Sequence, residues 1–440
     1  SDLYERRARS TIAAAEAAMD EPWPVLPATL YMEYCRNGNR ESFQRPYFAR
    51  RSRLATFALA ECFEHEGRFL DEIANGIWTI CEEATWCVPA HSYPHGMGRE
   101  LDLLPRQDRE IVDLFAAQTA MDLGELCYLL RPELEDLTPV LRRKVVKEVT
   151  RRVIDPVLDE GDFSWMTAIF NWNTWCSCCT LGAGLYLLED RDRIVELVWR
   201  MMGTTDTFLA GQLPDGGCSE GPNYWGRAPG ALLTLLEFLH SRSDGRIDVY
   251  PEPLIGELSG NLPPVHLHGR WFANFADCPP RVGVATGVVY RYGQRVADPD
   301  MRNLALLARQ GFTYDPPPGA EPRHARKRFS VEHELRGMFW VPGDATAEKT
   351  DRPVDTWLAD LGVLVARQSP EPGAGLVLAA KAGHNREHHN HNDVGQFILL
   401  FNGQPMIIDV GVNTYTRETF GPRRYEIWCI RGSAHNVPIV

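Results

Sequence analysis

Histidine and asparagine are concentrated in one short segment, His384 to Asp393, which reads HNREHHNHND. In an extended strand, His389, His391 and Asp393 would lie on one face. Two histidines at this spacing, with a carboxylate nearby, are a common way to bind Zn²⁺. A solvated polar loop is the alternative, but so many imidazole and amide groups are costly to order unless they find hydrogen-bonding partners. The segment therefore predicts a metal centre or a catalytic site.

A second group of reactive side chains lies in residues 213–230, LPDGGCSEGPNYWGRAPG, at the start of an apolar helix. It contains Glu220, Tyr224, Trp225 and Arg227. We expect Tyr224 to be an exposed proton-transfer residue, because a nearby cation such as Arg227 favours the tyrosinate. A packed loop with its tyrosine and tryptophan in the core is the alternative.

Asparagines flank Trp172 in residues 170–182, FNWNTWCSCCTLG. Amide side chains inside an apolar helix need hydrogen-bonding partners, which a substrate or the protein itself could supply. The sequence does not decide between Asn171 and Asn173, and a structural role for either one stays open.

Aromatic residues and histidines also occur together in residues 82–95, EEATWCVPAHSYPH, after a predicted helix. Trp86 could stack on a sugar ring and His91 could contact a carboxylate, with Tyr93 and His95 beside them. A purely structural role is equally compatible with this pattern.

These strings resemble motifs of the heparinase II/III family of polysaccharide lyases. HNHNDVGQF at 389–397 is similar to the HxHxDxGxF motif that opens the β-sandwich of that family, and MIIDVG and SAHN resemble later elements. EGPNYW resembles the tyrosine motif of the superfamily, particularly its alginate and heparin exolyase branch, and NWN resembles its asparagine motif. Phe275-Ala-Asp277 resembles another family string, to which we assign no role.

The resemblance implies an N-terminal (α/α) toroid of helical hairpins, an antiparallel β-sandwich and β-elimination on uronic-acid-containing glycans, with an exo-acting enzyme favoured. Tyr224 and His389 would be catalytic, and Asn171 or Asn173 would neutralise the uronate carboxyl group. His391, Asp409 and His435 would bind a metal, usually zinc, with a structural role. From their residue types and positions we also expect five residues to bind substrate, two of which, Glu220 and Arg227, would in addition tune Tyr224: His91, Trp86, Glu220, Trp225 and Arg227.

Strand geometry raises a difficulty for the metal site. A hairpin turning at Asn402-Gly403 places Asp409 beside residues 396–398. His391 would then lie roughly 17–23 Å away, at about 3.3 Å per residue. Either the chain before Asp393 bends back, or Asp393 replaces Asp409 as the ligand.

Apolar periodicity indicates helices in the first three hundred residues and strands after residue 361. The helical segments are Arg6–Met19, Ser52–Glu66, Phe69–Glu83, Glu110–Leu130, Thr138–Ile154, Arg191–Met202 and Ala231–His240. The strand segments are Val363–Ala366, Gly375–Ala380, Gln396–Phe401 and Pro405–Val410. We predict a toroid domain over residues 1–310, a connector over 311–350 that includes Asp315–Ala320 and Arg323–Arg328, and an incomplete β-sandwich over 351–440.

The composition limits the kinds of molecule that this protein could bind. The net charge of −13 argues against nucleic acid, and it requires a local basic cluster if the glycan is polyanionic. No apolar run is long enough for a membrane span, and the 11 cysteines favour free thiols in a reducing cytoplasm. A periplasmic or secreted location remains the alternative if a signal peptide was removed, and a homo-oligomer is compatible with the sequence.

Two other functions compete with the lyase. HxHxD also resembles the metallo-β-lactamase pattern of zinc hydrolases, but Val394 stands where that pattern has histidine. A non-catalytic glycan-binding scaffold is the third hypothesis, although binding alone would not need both Tyr224 and His389.

Overall fold

The computed structural model describes residues 2–92, 102–311 and 331–438. Tyr93 and His95 of the aromatic loop lie outside these residues, as do the predicted turn at Asp315–Ala320 and the basic stretch Arg323–Arg328. The site residues predicted from the sequence all lie inside them.

Helices occupy most of the described chain before residue 340. They are α1 (Asp2–Ala18), α2 (Ala28–Asn37), α3 (Glu41–Glu64), α4 (Leu70–Cys81), α5 (Leu114–Leu129), α6 (Arg131–Leu137), α7 (Pro139–Val149), α8 (Asn171–Leu187), α9 (Arg191–Ala210), α10 (Pro222–Trp225), α11 (Pro229–Arg242), α12 (Pro253–Gly260), α13 (Thr286–Arg295), α14 (Pro299–Arg309) and α15 (Val331–Phe339). Each segment with predicted helical spacing overlaps one of them. Helix α3 begins eleven residues before its predicted start, and in this additional part Phe43 and Tyr47 are buried and the buried Arg50 donates to the Pro24 carbonyl oxygen.

Antiparallel strands form two sheets. The strands are β1 (His266–His268), β2 (Trp271–Phe272), β3 (Asp355–Leu358), β4 (Val363–Arg367), β5 (Leu376–Lys381), β6 (Phe397–Phe401) and β7 (Gln404–Ile407). Strands β3 to β7 pair in chain order, and β1 pairs with β2. The predicted hairpin turn is confirmed, because Asn402 and Gly403 both have positive φ angles, of 47° and 74°, and they join β6 to β7. The predicted fold class, helices followed by antiparallel β-structure, is confirmed.

Internal contacts divide the chain into two compact units. The first contains Ser1–Ala168, Trp172–Phe208 and His324–Met338, and the second contains Ile169–Asn171, Leu209–Arg323 and Phe339–Val440. Nearly all of α15, which falls in the predicted connector, belongs to the first unit, where Val331 packs against Ala55 and Leu59 of α3. The predicted boundaries at residues 310 and 350 stay predictions.

In the second unit, a reciprocal clasp holds the loop before α10 against the turn between β3 and β4. The Asp215 carboxylate accepts hydrogen bonds from the backbone N–H groups of Asp360 and Leu361, at 2.8 and 3.0 Å. Asp360 accepts one from the backbone N–H of Asp215 at 3.2 Å. Gly216 has a φ of 69° and lies so close to the backbone of Glu257 that a Cβ atom would not fit. The clasp and this glycine fix the loop that carries Tyr224.

Cysteines in the structure are unpaired thiols, most of them buried, as the composition predicts. The CxxC pair, Cys176 and Cys179, lies in the buried part of α8, and burial raises the pKa of both thiols well above the ordinary value. Within the described ranges, no helix combines the length and the apolar character needed to cross a bilayer.

Candidate active site

Asp277 lies at the centre of the polar cluster in the second unit. Its Oδ2 atom lies 2.6 Å from His389 Nδ1 and accepts a hydrogen bond from the Tyr415 hydroxyl at 3.0 Å. Its Oδ1 atom lies 2.9 Å from His391 Nε2 and 3.1 Å from an Arg424 guanidinium nitrogen. Burial alone would raise the pKa of this fully buried carboxyl group, but hydrogen bonds from His389 and His391 and the charge of Arg424 hold it well below its usual range.

The histidine segment is a loop with turns, and not the extended strand in which His389, His391 and Asp393 would share one face. His389 has a φ of 57°, in the left-handed region, which interrupts any strand at that position. His389 and His391 nevertheless meet on a common partner, Asp277, because the loop turns both rings toward it. The two histidines lie close together, as their spacing suggested, but they do so because the loop turns and not because side chains alternate along a strand.

Tyr224 is buried, in contrast to the predicted exposed residue. Its hydroxyl lies 2.9 Å from the hydroxyl of Tyr415, and its ring packs on His389 with centroids 4.6 Å apart. Burial raises the pKa of Tyr224 to about 12, and the opposing effects of Arg227 and of the hydrogen bond with Tyr415 are smaller. Arg227 favours the tyrosinate, as predicted, but the larger effect of burial favours the neutral phenol.

Glu220 braces the other side of His389. Its Oε2 atom lies 3.3 Å from His389 Nε2, and its Oε1 atom accepts a hydrogen bond from the backbone N–H of Asn171 at 3.0 Å. Burial raises the pKa of Glu220, and the neighbouring His389 lowers it by less. Glu220 is buried, with 3% of its surface exposed, so its contacts in the structure are with the protein, and its predicted contact with substrate stays a prediction. The Arg227 guanidinium lies over the Tyr224 ring, 5.8 Å from its centroid.

The two asparagines of the NWN string have different surroundings. The Asn173 amide donates hydrogen bonds to the backbone carbonyl oxygens of Ala168 and Thr204, both at 2.9 Å, within the first unit. Asn171 belongs to the second unit, where its backbone reaches Glu220. The Asn173 amide is therefore engaged by the protein itself, whereas Asn171 lies next to Glu220 in the cluster around His389.

The predicted metal ligands lie close together. His435 Nδ1 lies 2.8 Å from Asp409 Oδ2, and the rings of His391 and His435 have centroids 5.2 Å apart. The chain therefore bends back before Asp393, as the strand geometry required. Gly411 allows the Asp409 turn, since a Cβ atom there would lie 2.7 Å from the Cys278 carbonyl oxygen.

Two buried nitrogen atoms in this group have no hydrogen-bonding partner, His391 Nδ1 and His435 Nε2. Imidazole nitrogens of this kind are suitable ligands for zinc, and the Asp409 carboxylate beside them completes a suitable donor set. No three such side chains in the described ranges are already arranged around one metal position. The residue types and the two unpartnered nitrogens therefore fit a metal, which His391, His435 and Asp409 would bind after moving closer together.

Asp393, the rival ligand, is engaged elsewhere. Its carboxylate lies 3.1 Å from the Lys381 ammonium group, which also pairs with Glu387 at 2.8 Å. All three side chains are buried or nearly so. Asp409 is the carboxylate in contact with His435, but its two oxygens also accept hydrogen bonds from Gln396 and Gly411. Asp393 Oδ2 has no hydrogen-bonding partner, so the choice between the two carboxylates stays a prediction.

The predicted sugar-stacking tryptophans are core residues. Trp86 and Trp225 are each 1% exposed, and their indole N–H groups donate to the backbone carbonyl oxygens of Ile80 and Leu258. Neither offers a ring face to a sugar, so both assignments to substrate binding are corrected. His91, in the first unit, lies between Asp113 and Arg40, with nitrogen contacts of 2.8 and 2.9 Å.

Sequence reasoning assigned no role to Asp277, Tyr415 or Arg424. The Phe275-Ala-Asp277 string was the one available signal, and it marks the central carboxylate. Tyr415 and Arg424 lie 138 and 147 positions from Asp277 in the chain, and no local pattern joins them to it. Phe420 completes the surroundings of His389, with its ring edge-on at 5.5 Å.

Comparison with known proteins gives a family for the C-terminal part. Residues 350–436 match the family described as heparinase II/III-like, C-terminal. A crystal structure of heparinase III is similar, with a TM-score of 0.59 and 13% identity over 92% of this chain and 56% of that chain. A second heparinase III has a TM-score of 0.53 and 13% identity over 98% of this chain and 65% of that one. No curated protein matches the chain. The chain thus spans less than two thirds of the length of these structures, and at this identity the likeness concerns the fold.

Proposed function

We propose that this protein is a polysaccharide lyase that cleaves uronic-acid-containing glycans by β-elimination, because residues 350–436 match the heparinase II/III-like C-terminal family. The observation that carries the proposal is the pair of phenols, Tyr224 and Tyr415, in hydrogen-bonding contact beside His389. A zinc hydrolase would not need two adjacent phenols, and a binding scaffold would not need them buried beside a braced histidine.

β-Elimination makes three demands on an active site. A base removes the C5 proton of the uronate, and the electron pair of that C–H bond forms the C4–C5 double bond. The C4–O4 bond breaks with its electrons on O4, and an acid protonates O4. Charge develops on the uronate carboxyl group during proton removal, so hydrogen-bond donors directed at it lower the barrier.

The tyrosine pair can meet both proton demands. One phenol oxygen, once ionised, takes the C5 proton, and a neutral phenol gives a proton to O4. Tyr224 rests in the neutral form that the acid step needs, since burial raises its pKa. Arg227 beside its ring eases the ionisation that the base step needs. The hydrogen bond between Tyr224 and Tyr415 provides a route for the proton between the two oxygens.

The remaining residues orient the reacting groups. Asn171 is the proposed donor to the uronate carboxyl group, because its amide needs no proton of its own to act as a donor. His389 packs on the Tyr224 ring and is held at both nitrogens, by Asp277 and by Glu220. His389 therefore holds the Tyr224 ring in place and adds a polar side chain to the site.

Zinc is proposed as a structural cofactor held by His391, Asp409 and His435. When bound, it would cross-link the histidine loop to the segment after β7. The unpartnered nitrogens of His391 and His435 support this ligand set.

The substrate is proposed to be a uronate oligosaccharide that the enzyme attacks in an exo-acting manner. The net charge of −13 disfavours a long, heavily sulfated polymer, because the whole-protein field repels it.

A panel of uronate glycans, covering alginate-type, heparan-type and hyaluronan-type oligomers, tests the proposal. A lyase generates an unsaturated uronate, followed by its ultraviolet absorbance, on at least one of them. Saturable binding without absorbance would indicate a scaffold, and new reducing ends without absorbance would indicate a hydrolase. Either result would refute the proposed reaction.

A further inference from the structure

One buried carboxylate serves both functional histidines. Asp277 contacts His389 through Oδ2 and His391 through Oδ1, at 2.6 and 2.9 Å. With no exposed surface, it cannot reach a substrate. Arg424 contacts Asp277 through Oδ1 alone. Neutralising the charge of the Asp277 carboxylate therefore does not by itself explain the two histidine contacts.

The contacts determine which nitrogen of each ring carries hydrogen. An ionised carboxylate only accepts hydrogen bonds, so the nitrogens that face it must be donors. His389 therefore carries hydrogen on Nδ1, which directs Nε2 toward Glu220. His391 carries hydrogen on Nε2, which leaves Nδ1 bare, and this is the buried atom without a hydrogen-bonding partner. A carboxylate that orients a ligating histidine in this way is common around protein-bound metals.

The backbone on both sides of this contact adopts an unfavourable conformation. Ala276, next to Asp277, has a φ of 63°, and His389 has a φ of 57°. A non-glycine residue in this region costs about 1–2 kcal/mol. Such conformations persist where surrounding contacts enforce them, and they are frequent at functional sites.

We propose that Asp277 is a positioning residue that sets the ring orientation and tautomer of His389 and His391 together, and so joins the elimination site to the metal site. The role of His389 in elimination rests on the proposed function. The part of the inference that concerns ring orientation and tautomer does not. Asp277 acts through the histidines and touches neither substrate nor metal.

The test uses Asp277→Asn, which keeps the size of the side chain. The amide accepts hydrogen bonds at its oxygen only, so the variant accepts from at most one of the two histidines, and the other ring must lose its contact or take the other tautomer. We expect kcat to fall about 10–100-fold with little change in KM, and zinc affinity to fall by a similar factor. Asp298→Asn is the matched control, since Asp298 caps α14 in the same unit and asparagine is an equally good cap.

A second measurement does not depend on activity or on the variant. Nitrogen NMR of ¹⁵N-histidine-labelled wild-type protein reports which ring nitrogens carry hydrogen. We expect hydrogen on Nδ1 of His389 and on Nε2 of His391, with assignments from the His389→Gln and His391→Gln variants. If wild-type protein gives no unsaturated product from any glycan, the proposed function fails while this spectrum still tests Asp277. A bare His389 Nδ1, hydrogen on His391 Nδ1, or an Asp277→Asn variant with unchanged kcat would overturn the inference.

Discussion

The hydroxyl oxygens of Tyr224 and Tyr415 lie 2.9 Å apart, although 191 positions separate the two residues in the chain. Tyr415 also donates to Asp277, so its own proton is committed and its oxygen is available to accept from Tyr224. The order of donation is therefore Tyr224 to Tyr415 to Asp277. This order holds while Tyr224 is neutral; once Tyr224 is ionised, the Tyr415 hydroxyl can donate to it instead, and this contact lowers the pKa of Tyr224.

Removing either hydroxyl of the pair should abolish most of the lyase activity. We expect Tyr224→Phe and Tyr415→Phe each to lower kcat by about 10²–10⁴, because proton transfer by a positioned side chain contributes that much. Tyr292→Phe is the matched control, since Tyr292 is buried in the same unit and its hydroxyl has no hydrogen-bonding partner. The rates are measured by the absorbance of the unsaturated product. Full activity in Tyr224→Phe would exclude the tyrosine mechanism.

The rate should increase with pH above neutrality. Burial raises the pKa of Tyr224 to about 12, so only a small fraction is ionised at pH 7. That fraction grows about tenfold per pH unit below the pKa. If the phenolate removes the C5 proton, the logarithm of kcat should rise with a slope near one from pH 7 to 10, over the range in which circular dichroism shows the protein folded.

Arg227→Met provides the companion measurement. Arg227 lowers the pKa of Tyr224, so its loss should raise that pKa and reduce kcat at a given pH. The slope should stay the same, because the same group still ionises. A rate that decreases between pH 7 and 10 would show that the limiting group acts in its protonated form.

Local signals in the sequence predicted the elements but not the burial of individual side chains. Asn402-Gly403 specified its hairpin because both residues tolerate positive φ angles, a property of single residues. Trp86 and Tyr224 were misjudged, because their exposure depends on segments far away in the chain. Asp277 could not be recognised as the centre of the site, since His389 lies 112 positions from it. The string Phe275-Ala-Asp277 resembles a family motif, but it indicated only where Asp277 lies in the chain and not what it does.

Zinc should copurify with the protein at about one ion per chain. We expect His435→Ala and Asp409→Ala to lose the metal, with a lower melting temperature that added zinc no longer restores. Ligand binding to the folded state contributes about 4 kcal/mol when its free concentration is a thousand times the Kd. His384→Ala is the control, because His384 is an exposed histidine of the same loop.

Asp393→Asn separates the two carboxylates that the sequence left as rival ligands. Asp393 pairs with the buried Lys381, so its neutralisation should lower the free energy of unfolding while zinc stays bound. Metal analysis of the purified variants gives the answer directly. Loss of zinc from Asp393→Asn, with retention in Asp409→Ala, would assign the ligand to Asp393 instead.

Asn171 and Asn173 should differ in the property that each affects. Asn173→Ala removes an amide that donates to two buried carbonyl oxygens, so we expect the free energy of unfolding to fall by about 1–3 kcal/mol with kcat nearly unchanged. Asn171→Ala should lower kcat with a smaller effect on stability, because the proposed carboxylate donor is lost while its backbone contact with Glu220 remains. Urea unfolding and the absorbance assay, applied to both variants, make each the control for the other. The opposite pattern would assign the uronate contact to Asn173.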